Sequence, residues 1–119
     1  PNKNPWYVYE ENGRHYNMRT ELDNRRPCYK ETIRDNNGTP YLLTVSFDFG
    51  GIKEAWMSGG GKAGTERPDI LTEVGRLVSV SLQNGTPLED LRSCATYRSD
   101  GTPSTVVGVM LDRMSELGD

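Results

Sequence analysis

Apolar and polar residues alternate along the middle of the chain. Between residues 41 and 49 the even-numbered positions are mostly polar, and the odd-numbered positions carry Tyr41, Leu43, Val45, Phe47 and Phe49. Because successive side chains of a strand point to opposite faces, this period of two predicts a strand that is buried on one face. Residues 27–34 and 52–58 are predicted as strands on either side of it.

Turn-forming residues separate these strands. Residues 35–38 read DNNG, and the Asn-Gly pair tolerates the positive φ that tight hairpin turns require. Gly50 and Gly51 separate the second strand from the third. Both connections are short, so the three strands are predicted to be antiparallel.

Beyond residue 64 the hydrophobic period becomes helical. Pro68 suits the first turn of a helix, and Asn84-Gly85 suits its end. The following residues 86–89, TPLE, have the pattern of a capping box with Pro at the first helical position, and predict a second, short helix through Leu91. In the main helix, between residues 65 and 85, the apolar side chains recur at Ile70, Leu71, Val74, Leu77, Val78 and Leu82.

A third amphipathic helix is predicted to end at Gly118, from the apolar positions Val106, Val107, Met110, Leu111, Met114 and Leu117. Strands therefore come first and helices follow. This order predicts an α+β domain, in which two to three helices pack on one face of an antiparallel sheet of three or more strands. We assign the domain to residues 25–119. Residues 1–24 are an N-terminal extension or edge strand, with Trp6 to Tyr9 either in that strand or against a neighbouring subunit.

The composition favours one domain with a small core. The chain has 119 residues, of which 34% are hydrophobic, so self-association into a homo-oligomer is expected. No apolar run is long enough to span a bilayer, and the first residues lack the pattern of a signal peptide. We expect a soluble, cytoplasmic protein without a membrane partner.

Charge argues against one large class of partners. The 14 Lys and Arg residues are outnumbered by 17 Asp and Glu residues, which gives a net charge of -3. Proteins that bind duplex nucleic acid usually carry a basic stripe that neutralises phosphates, so no duplex partner is expected. A small anionic ligand needs only a few well-placed cations and backbone amides, and it is compatible with this composition.

Residues suited to catalysis or metal binding are sparse. Cys28 and Cys94 lie far apart, and His15 is the only histidine, so neither a zinc site nor a disulfide framework is supported. His15 has no serine or cysteine in a recognisable arrangement, and Cys94 has no evident base. We therefore expect a protein that is not an enzyme and holds no metal and no cofactor.

A glycine-rich segment, SGGGKAGT at residues 58–65, joins the third strand to the first helix. Such turns at a helix N-terminus can present backbone amides to an anion, which makes Gly61, Lys62 and Gly64 candidates for phosphate contact. The segment departs from the phosphate-loop pattern, in which Ser or Thr follows the lysine, because Ala63 stands there. A flexible connection without a ligand is the alternative interpretation.

Further candidate ligand residues lie at the ends of elements and on one strand. Arg67 and Arg98 could each clamp a phosphate through two hydrogen bonds, or could be ordinary surface arginines. Asp100 and Thr102 offer a carboxylate and a hydroxyl to a ribose or a base edge, although Asp-Gly is also an ordinary turn. Trp56 is either a core residue or a surface on which a base stacks.

One pair of small residues indicates close packing. Gly75 and Ser79 lie four positions apart on the predicted main helix. Small residues at this spacing would allow another helix to approach closely, within a protomer or between two.

Three segments together resemble the TSCPD domain, which is found at the C-terminus of adenosylcobalamin-dependent ribonucleotide reductases and as small stand-alone proteins. They are a Gly-Lys-x-Gly turn at residues 61–64, the helix segment GRLVSVSL at 75–82 and the segment GTPLE at 85–89. The resemblance covers about residues 25–117. The Ser-Cys-Pro-Asp motif of the family is missing, since Cys94 stands in Ser-Cys-Ala-Thr. A thiol or metal role is therefore not implied.

The resemblance implies binding, because the radical chemistry of the reductases resides in a separate and larger domain. The expected architecture is also similar to that of phage proteins that oppose Thoeris immunity by sequestering signals of the cyclic ADP-ribose type between protomers. The leading expectation is a non-catalytic protein that binds a small phosphorylated nucleoside or cyclic nucleotide, as a phage sponge for an immune signal in the host cytoplasm. The alternative is an accessory or protein-interaction domain that docks on a ribonucleotide reductase and binds no nucleotide.

Overall fold

The computed structural model describes residues 8–11, 14–17, 26–48, 51–62 and 64–118. Within them the chain forms one five-stranded antiparallel sheet with the strands in sequence order, followed by three helices. The strands are β1 (Val8–Glu11), β2 (Arg14–Asn17), β3 (Arg26–Arg34), β4 (Pro40–Asp48) and β5 (Gly51–Gly59). The helices are α1 (Glu66–Gln83), α2 (Leu88–Arg92) and α3 (Val106–Gly118).

The predicted α+β architecture is confirmed. Each of the predicted strands and helices forms, with bounds that differ by no more than two residues from those predicted. Val8 and Tyr9 lie in β1, whereas the sequence pattern did not predict β2. The predictions also covered residues that lie outside the described ranges, namely Trp6, Tyr7, Phe49, Gly50 and Ala63.

The core lies between one face of the sheet and the helices. Leu43 and Val45 of β4 are fully buried, as are Met110 and Met114 of α3. Burial of such side chains is the main contribution to the stability of a domain this small. The α1 residues in the same cluster are Leu71, Val78 and Leu82.

In its middle, at Thr44 and Ser46, β4 is buried on both faces, whereas the alternating pattern predicted burial on one. Thr44 and Ser46, which alternate with the core residues, are each 2% exposed. β4 has a neighbouring strand on each side, and in the register Thr44 lies between the longer residues Lys30 and Trp56. A small residue between two long cross-strand neighbours is covered by them, so the half-buried prediction is wrong here.

α2 begins one residue later than the capping-box pattern predicts. The residue before the helix is Pro87, with φ -63° and ψ 141°, and no side chain caps the helix. Thr86 instead donates its backbone N–H to the carbonyl of Ser81 at 3.0 Å, next to Gly85, whose φ is 92°. Thr86 therefore closes α1 in place of opening α2.

Ion pairs fix α3 to its neighbours. Arg92 of α2 lies 3.2 Å from Asp112, and Arg113 pairs with Glu31 of β3. The hydrogen bond with Glu31, with further ones to Tyr29 and Glu116, raises the pKa of Arg113, so this guanidinium stays charged. Both arginines act in the fold by joining elements together.

Candidate functional site

A groove of about 450 Å³ runs along the edge of β5, between this strand and α1. Strand residues 54, 56 and 58 alternate along β5 and therefore share one face of the sheet. Helix residues 72, 76 and 80 are four apart and therefore form one row on α1. The residues that line the groove include Glu54, Trp56, Ser58, Thr72, Arg76, Ser79 and Val80.

Gly75 brings α1 close enough to β5 to form this groove. A Cβ atom on Gly75 would lie 3.0 Å from the carbonyl oxygen of Ala55 and 3.1 Å from the Cα of Trp56. Both neighbours are backbone atoms, which cannot move aside as the end of a long side chain can. A side chain at this position would therefore press on the strand backbone, which favours glycine.

Ser79 and Gln83 complete the contact by bonding the free edge of the strand. Ser79 Oγ accepts a hydrogen bond from the N–H of Ala55 at 3.0 Å and lies 3.1 Å from the Ala55 oxygen. Gln83 Nε2 donates to the Lys53 oxygen at 3.2 Å. Four residues of a helix and two residues of a strand each span about 6 Å. The row of side chains on α1 therefore stays aligned with the row on β5 along the groove. The close approach predicted for Gly75 and Ser79 is thus made to a strand, whereas a helix was expected.

The side chains on the groove walls differ in chemistry. Trp56 and Glu54 are half-buried, and Arg76 is exposed. Within the part of the chain that the structure describes, the Arg76 guanidinium makes no hydrogen bond or ion pair. An indole can stack on a base, a guanidinium can bind a phosphate through two hydrogen bonds, and a carboxylate can accept from a sugar hydroxyl or a base amine.

Two glycines of the glycine-rich segment beside the groove, Gly60 and Gly64, are in contact with neighbouring residues. Gly60 has φ 80°, and a Cβ atom there would lie 2.6 Å from the Tyr41 ring. The Gly64 N–H donates to an Asp69 carboxylate oxygen at 3.2 Å, so this amide is already used within the protein. Lys62 accepts from the Thr65 hydroxyl through its backbone oxygen at 2.6 Å, and the residue is exposed.

The turn at residues 98–102 also satisfies its own polar groups. Asp100 accepts from the backbone N–H of Thr102 at 2.9 Å and from its hydroxyl at 2.6 Å. The hydrogen bonds from Thr102, side chain first, hold the pKa of Asp100 below its ordinary value. The two groups predicted to read a ribose or base thus bond to each other.

Three turns meet at the end of the sheet where β3 joins β4. Asn36 Nδ2 donates to the Pro103 oxygen at 2.6 Å, which attaches the β3–β4 turn to the 97–103 hairpin. Asp35 in the same turn is close enough to Arg67 to interact electrostatically. This turn cluster, residues 35–38, 59–62, 64 and 97–103, contains or adjoins the predicted ligand residues other than Trp56. The lining of the groove contains Trp56 and none of the other seven, which are Gly61, Lys62, Gly64, Arg67, Arg98, Asp100 and Thr102.

Sequence reasoning missed the helix side of the groove. Thr72, Arg76 and Val80 were not singled out, although they are four residues apart and adjoin Gly75 and Ser79. The available signal was this spacing next to a pair of small residues. What this spacing predicts depends on whether the small residues contact a helix or a strand.

A second groove, of about 410 Å³, lies where the start of β5 meets the end of α1 and the start of α2. The described residues that line it include Lys53, Thr86, Glu89 and Ser115, and none of them is aromatic. Among the described residues, no three His, Cys, Asp or Glu side chains are grouped closely enough to hold a metal ion. The described helices include none that is long and apolar enough to cross a membrane.

Comparison with known proteins gives one match. A scan against protein-family models matches the TSCPD domain over residues 14–105, more than half of the chain, starting before the boundary at residue 25 that the motifs predicted. A search of curated proteins found no match. A search of solved structures also found none.

Proposed function

The chain belongs to the TSCPD domain family, and we propose that it acts as a non-catalytic domain that binds a small phosphorylated nucleoside in the groove between β5 and α1. The observation that supports this proposal is that Trp56, Glu54 and Arg76 line one groove. Its volume of about 450 Å³ lies in the range of pockets that take small-molecule ligands.

Each wall of the groove contributes a different contact. Trp56 stacks on the base, which binds any base because each has a π face. Arg76 binds a phosphate through paired N–H donors, and Glu54 accepts from a ribose hydroxyl or a base amine. Ser58 and Thr72 add hydroxyl groups at the same end of the groove.

The neighbouring loop favours a ligand with more than one phosphate. Ser58 ends the lining on β5, and the loop that carries Lys62 begins at the next residue. A ligand that extends from Trp56 past Ser58 would approach Lys62, whereas Arg67 lies beside Gly60 and Asp35 in the turn cluster. Cyclic dinucleotides and cyclic ADP-ribose isomers have this length and two phosphates, whereas a mononucleotide has one.

We further propose that the ligand is bound without being chemically changed. Among the described residues, the groove lining includes a carboxylate and two hydroxyl residues besides Ser79, but no histidine or cysteine that could act with them as a nucleophile–base pair. We propose that the chain sequesters a cyclic nucleotide signal, as a phage protein that opposes a bacterial immune response would.

Titration calorimetry with AMP, cyclic dinucleotides, cyclic trinucleotides and cyclic ADP-ribose isomers tests this function. At least one of them is expected to bind, and the ligand should be recovered intact after the complex is denatured. Arg76→Gln should weaken binding about 10- to 100-fold, because a charge-assisted hydrogen bond contributes about 1.5–3 kcal/mol. Lys53→Gln, which removes one positive charge from the same strand outside this groove, should leave binding unchanged.

Absence of heat with every nucleotide would overturn the proposal. The accessory-domain function would then be the better account, and capture of a ribonucleotide reductase subunit without added nucleotide would support it. A ligand recovered in altered form would show instead that the protein is an enzyme. Equal weakening by Arg76→Gln and Lys53→Gln would place the ligand elsewhere.

A further inference from the structure

α1 carries a second apolar face, opposite the one in the core. Leu77 is 68% exposed, Val80 56% and Ile70 47%. Spacings of seven and three residues place these side chains in one row along the helix. A row of three exposed aliphatic side chains on one helix is more than the isolated surface apolar residues that most proteins carry.

Two side chains of opposite charge lie in or beside this row. Glu73 falls between Ile70 and Leu77, and Arg76 borders the row on the groove side. Both are exposed, and neither has an ion pair or hydrogen bond within the described ranges. The outer face of α1 is therefore apolar at three positions and carries one acid and one base close to its middle.

We infer that this face binds a second copy of the chain through an antiparallel pairing of two α1 helices. Let the two-fold axis pass beside the level of Gly75. Position 70 of one helix is then level with position 80 of the other, so Ile70 meets Val80. Position 73 of one helix is level with position 77 of the other, and position 76 of the other helix is one residue away. Glu73 therefore packs beside Leu77 of the second copy and pairs with its Arg76. Symmetry makes each contact twice.

The charges are what identify the occupant as a second copy. An antiparallel copy supplies an arginine for Glu73 and a glutamate for Arg76 at the same time as it covers the three apolar side chains. An axis beside Leu77 does less well, because Ile70 would then lie level with Asn84 and Glu73 with Ser81. Self-complementarity of this kind is the property that an interface between identical subunits requires.

The pairing does not depend on the proposed function, but it adjoins the groove. Arg76, which borders the apolar row, and Val80, which belongs to it, also line the groove. The second α1 would lie along the outer wall of the groove. A guanidinium has five N–H donors, so Arg76 can bond a carboxylate of the second copy on one side and a ligand phosphate on the other.

The contact is small, so the dimer is expected to dissociate on dilution. Interfaces at the low end of the size range give weak association, and a dissociation constant of about 10 µM to 1 mM fits this class. Sedimentation equilibrium of the full chain, without nucleotide, from about 10 µM to 1 mM protein should therefore show a monomer–dimer equilibrium. A chain that stays monomeric over this range overturns the inference.

Substitutions on α1 locate the contact. Leu77→Asp should raise the dissociation constant at least tenfold, because it places a carboxylate beside Glu73 of the second copy. Ser93→Asp adds the same charge on an exposed residue beyond α2 and should not change association. Leu77 is exposed, so both variants should keep the circular dichroism spectrum of the native chain. Equal association by the two variants contradicts the inference.

A charge exchange tests the antiparallel arrangement. Glu73→Arg and Arg76→Glu should each weaken the dimer, because each brings like charges together. The double variant restores opposite charges across the interface and should recover at least half of the lost association free energy. If the double variant associates no better than the single ones, Glu73 and Arg76 do not meet and the pairing is wrong.

Discussion

The groove between β5 and α1 and the turn cluster at the end of β3 and β4 both collect polar side chains, but they use them differently. In the turn cluster, Asp35 accepts from two backbone amides and Asp100 from Thr102. In the groove, Ser79 bonds the strand, while Arg76 makes no hydrogen bond within the described residues. A carboxylate that organises its own turn has little capacity left for a ligand.

The difference shows where a polar side chain can act on a ligand. Asp35 and Asp100 fold the backbone of their own turns, because their hydrogen bonds to backbone amides reach only two to four residues along the chain. The groove is held by contacts between two regular elements, so Arg76 on its wall need not hold the backbone. Three substitutions test this contrast, from the largest expected effect to the smallest.

Gly75→Val should cause the largest loss of stability. Its Cβ would lie 3.0 Å from the Ala55 oxygen, and the branched methyl groups would force α1 away from β5. Overpacking of this kind costs about 1–3 kcal/mol or more. Urea denaturation followed by circular dichroism measures the loss. Ile70→Val, on the exposed face of the same helix, is the control, and equal stabilities of the two variants would contradict the contact.

Ser79→Ala should cost about 1–2 kcal/mol, because the Ala55 N–H loses its acceptor at the sheet edge. The matched control is Ser81→Ala on the same helix, whose hydroxyl donates to the Leu77 oxygen and contacts no strand. The same urea titration compares both variants. If Ser81→Ala were as destabilising as Ser79→Ala, the hydrogen bond between the Ser79 hydroxyl and β5 would not be stabilising the fold.

Asp35→Asn should change the pH dependence of stability in acid and leave the groove intact. Burial acts to raise the pKa of Asp35, but hydrogen bonds from Thr39, Asn37 and Tyr41 outweigh it and lower the pKa below its ordinary value. The charged form therefore stabilises the fold above about pH 4, and this contribution is lost as the pH falls through the lowered pKa.

Thermal unfolding from pH 7 to pH 2 measures this effect. The native chain should lose more stability in acid than Asp35→Asn does, and Asp90→Asn on α2 should behave as the native chain. Parallel pH profiles for the native chain and Asp35→Asn would mean that the carboxylate does not hold the turn. Nucleotide binding at pH 7 should be the same for both.

Much of the fold could be predicted from the local sequence. The alternation at residues 41–49 and the helical spacing after residue 65 each arise because a single element buries one of its faces in the core. The strand and the helix that they predict both form. Burial of Thr44 could not be predicted in this way, because it depends on which residues of β3 and β5 lie beside it. Thr86 likewise closes α1, a role that a capping-box pattern does not reveal.

The candidate site was predictable only on its strand side. Trp56 stood out as a large aromatic residue on a strand with Glu54 and Ser58 on its own face. Arg76 had no such signal, because it becomes part of the groove only once Gly75 and Ser79 are known to face β5. A pair of small residues predicts close approach, but it does not say whether a helix or a strand approaches.

The most direct test of the central claim is a two-dimensional ¹⁵N–¹H NMR titration of the native chain with cyclic ADP-ribose isomers and cyclic dinucleotides. The account predicts that the largest shifts fall on the Trp56 indole N–H and on the backbone amides of residues 54–58 and 72–80. Smaller shifts should reach Lys62. Shifts centred on residues 35–38 and 98–102, with the Trp56 indole unmoved, would contradict it, as would an unchanged spectrum with every ligand.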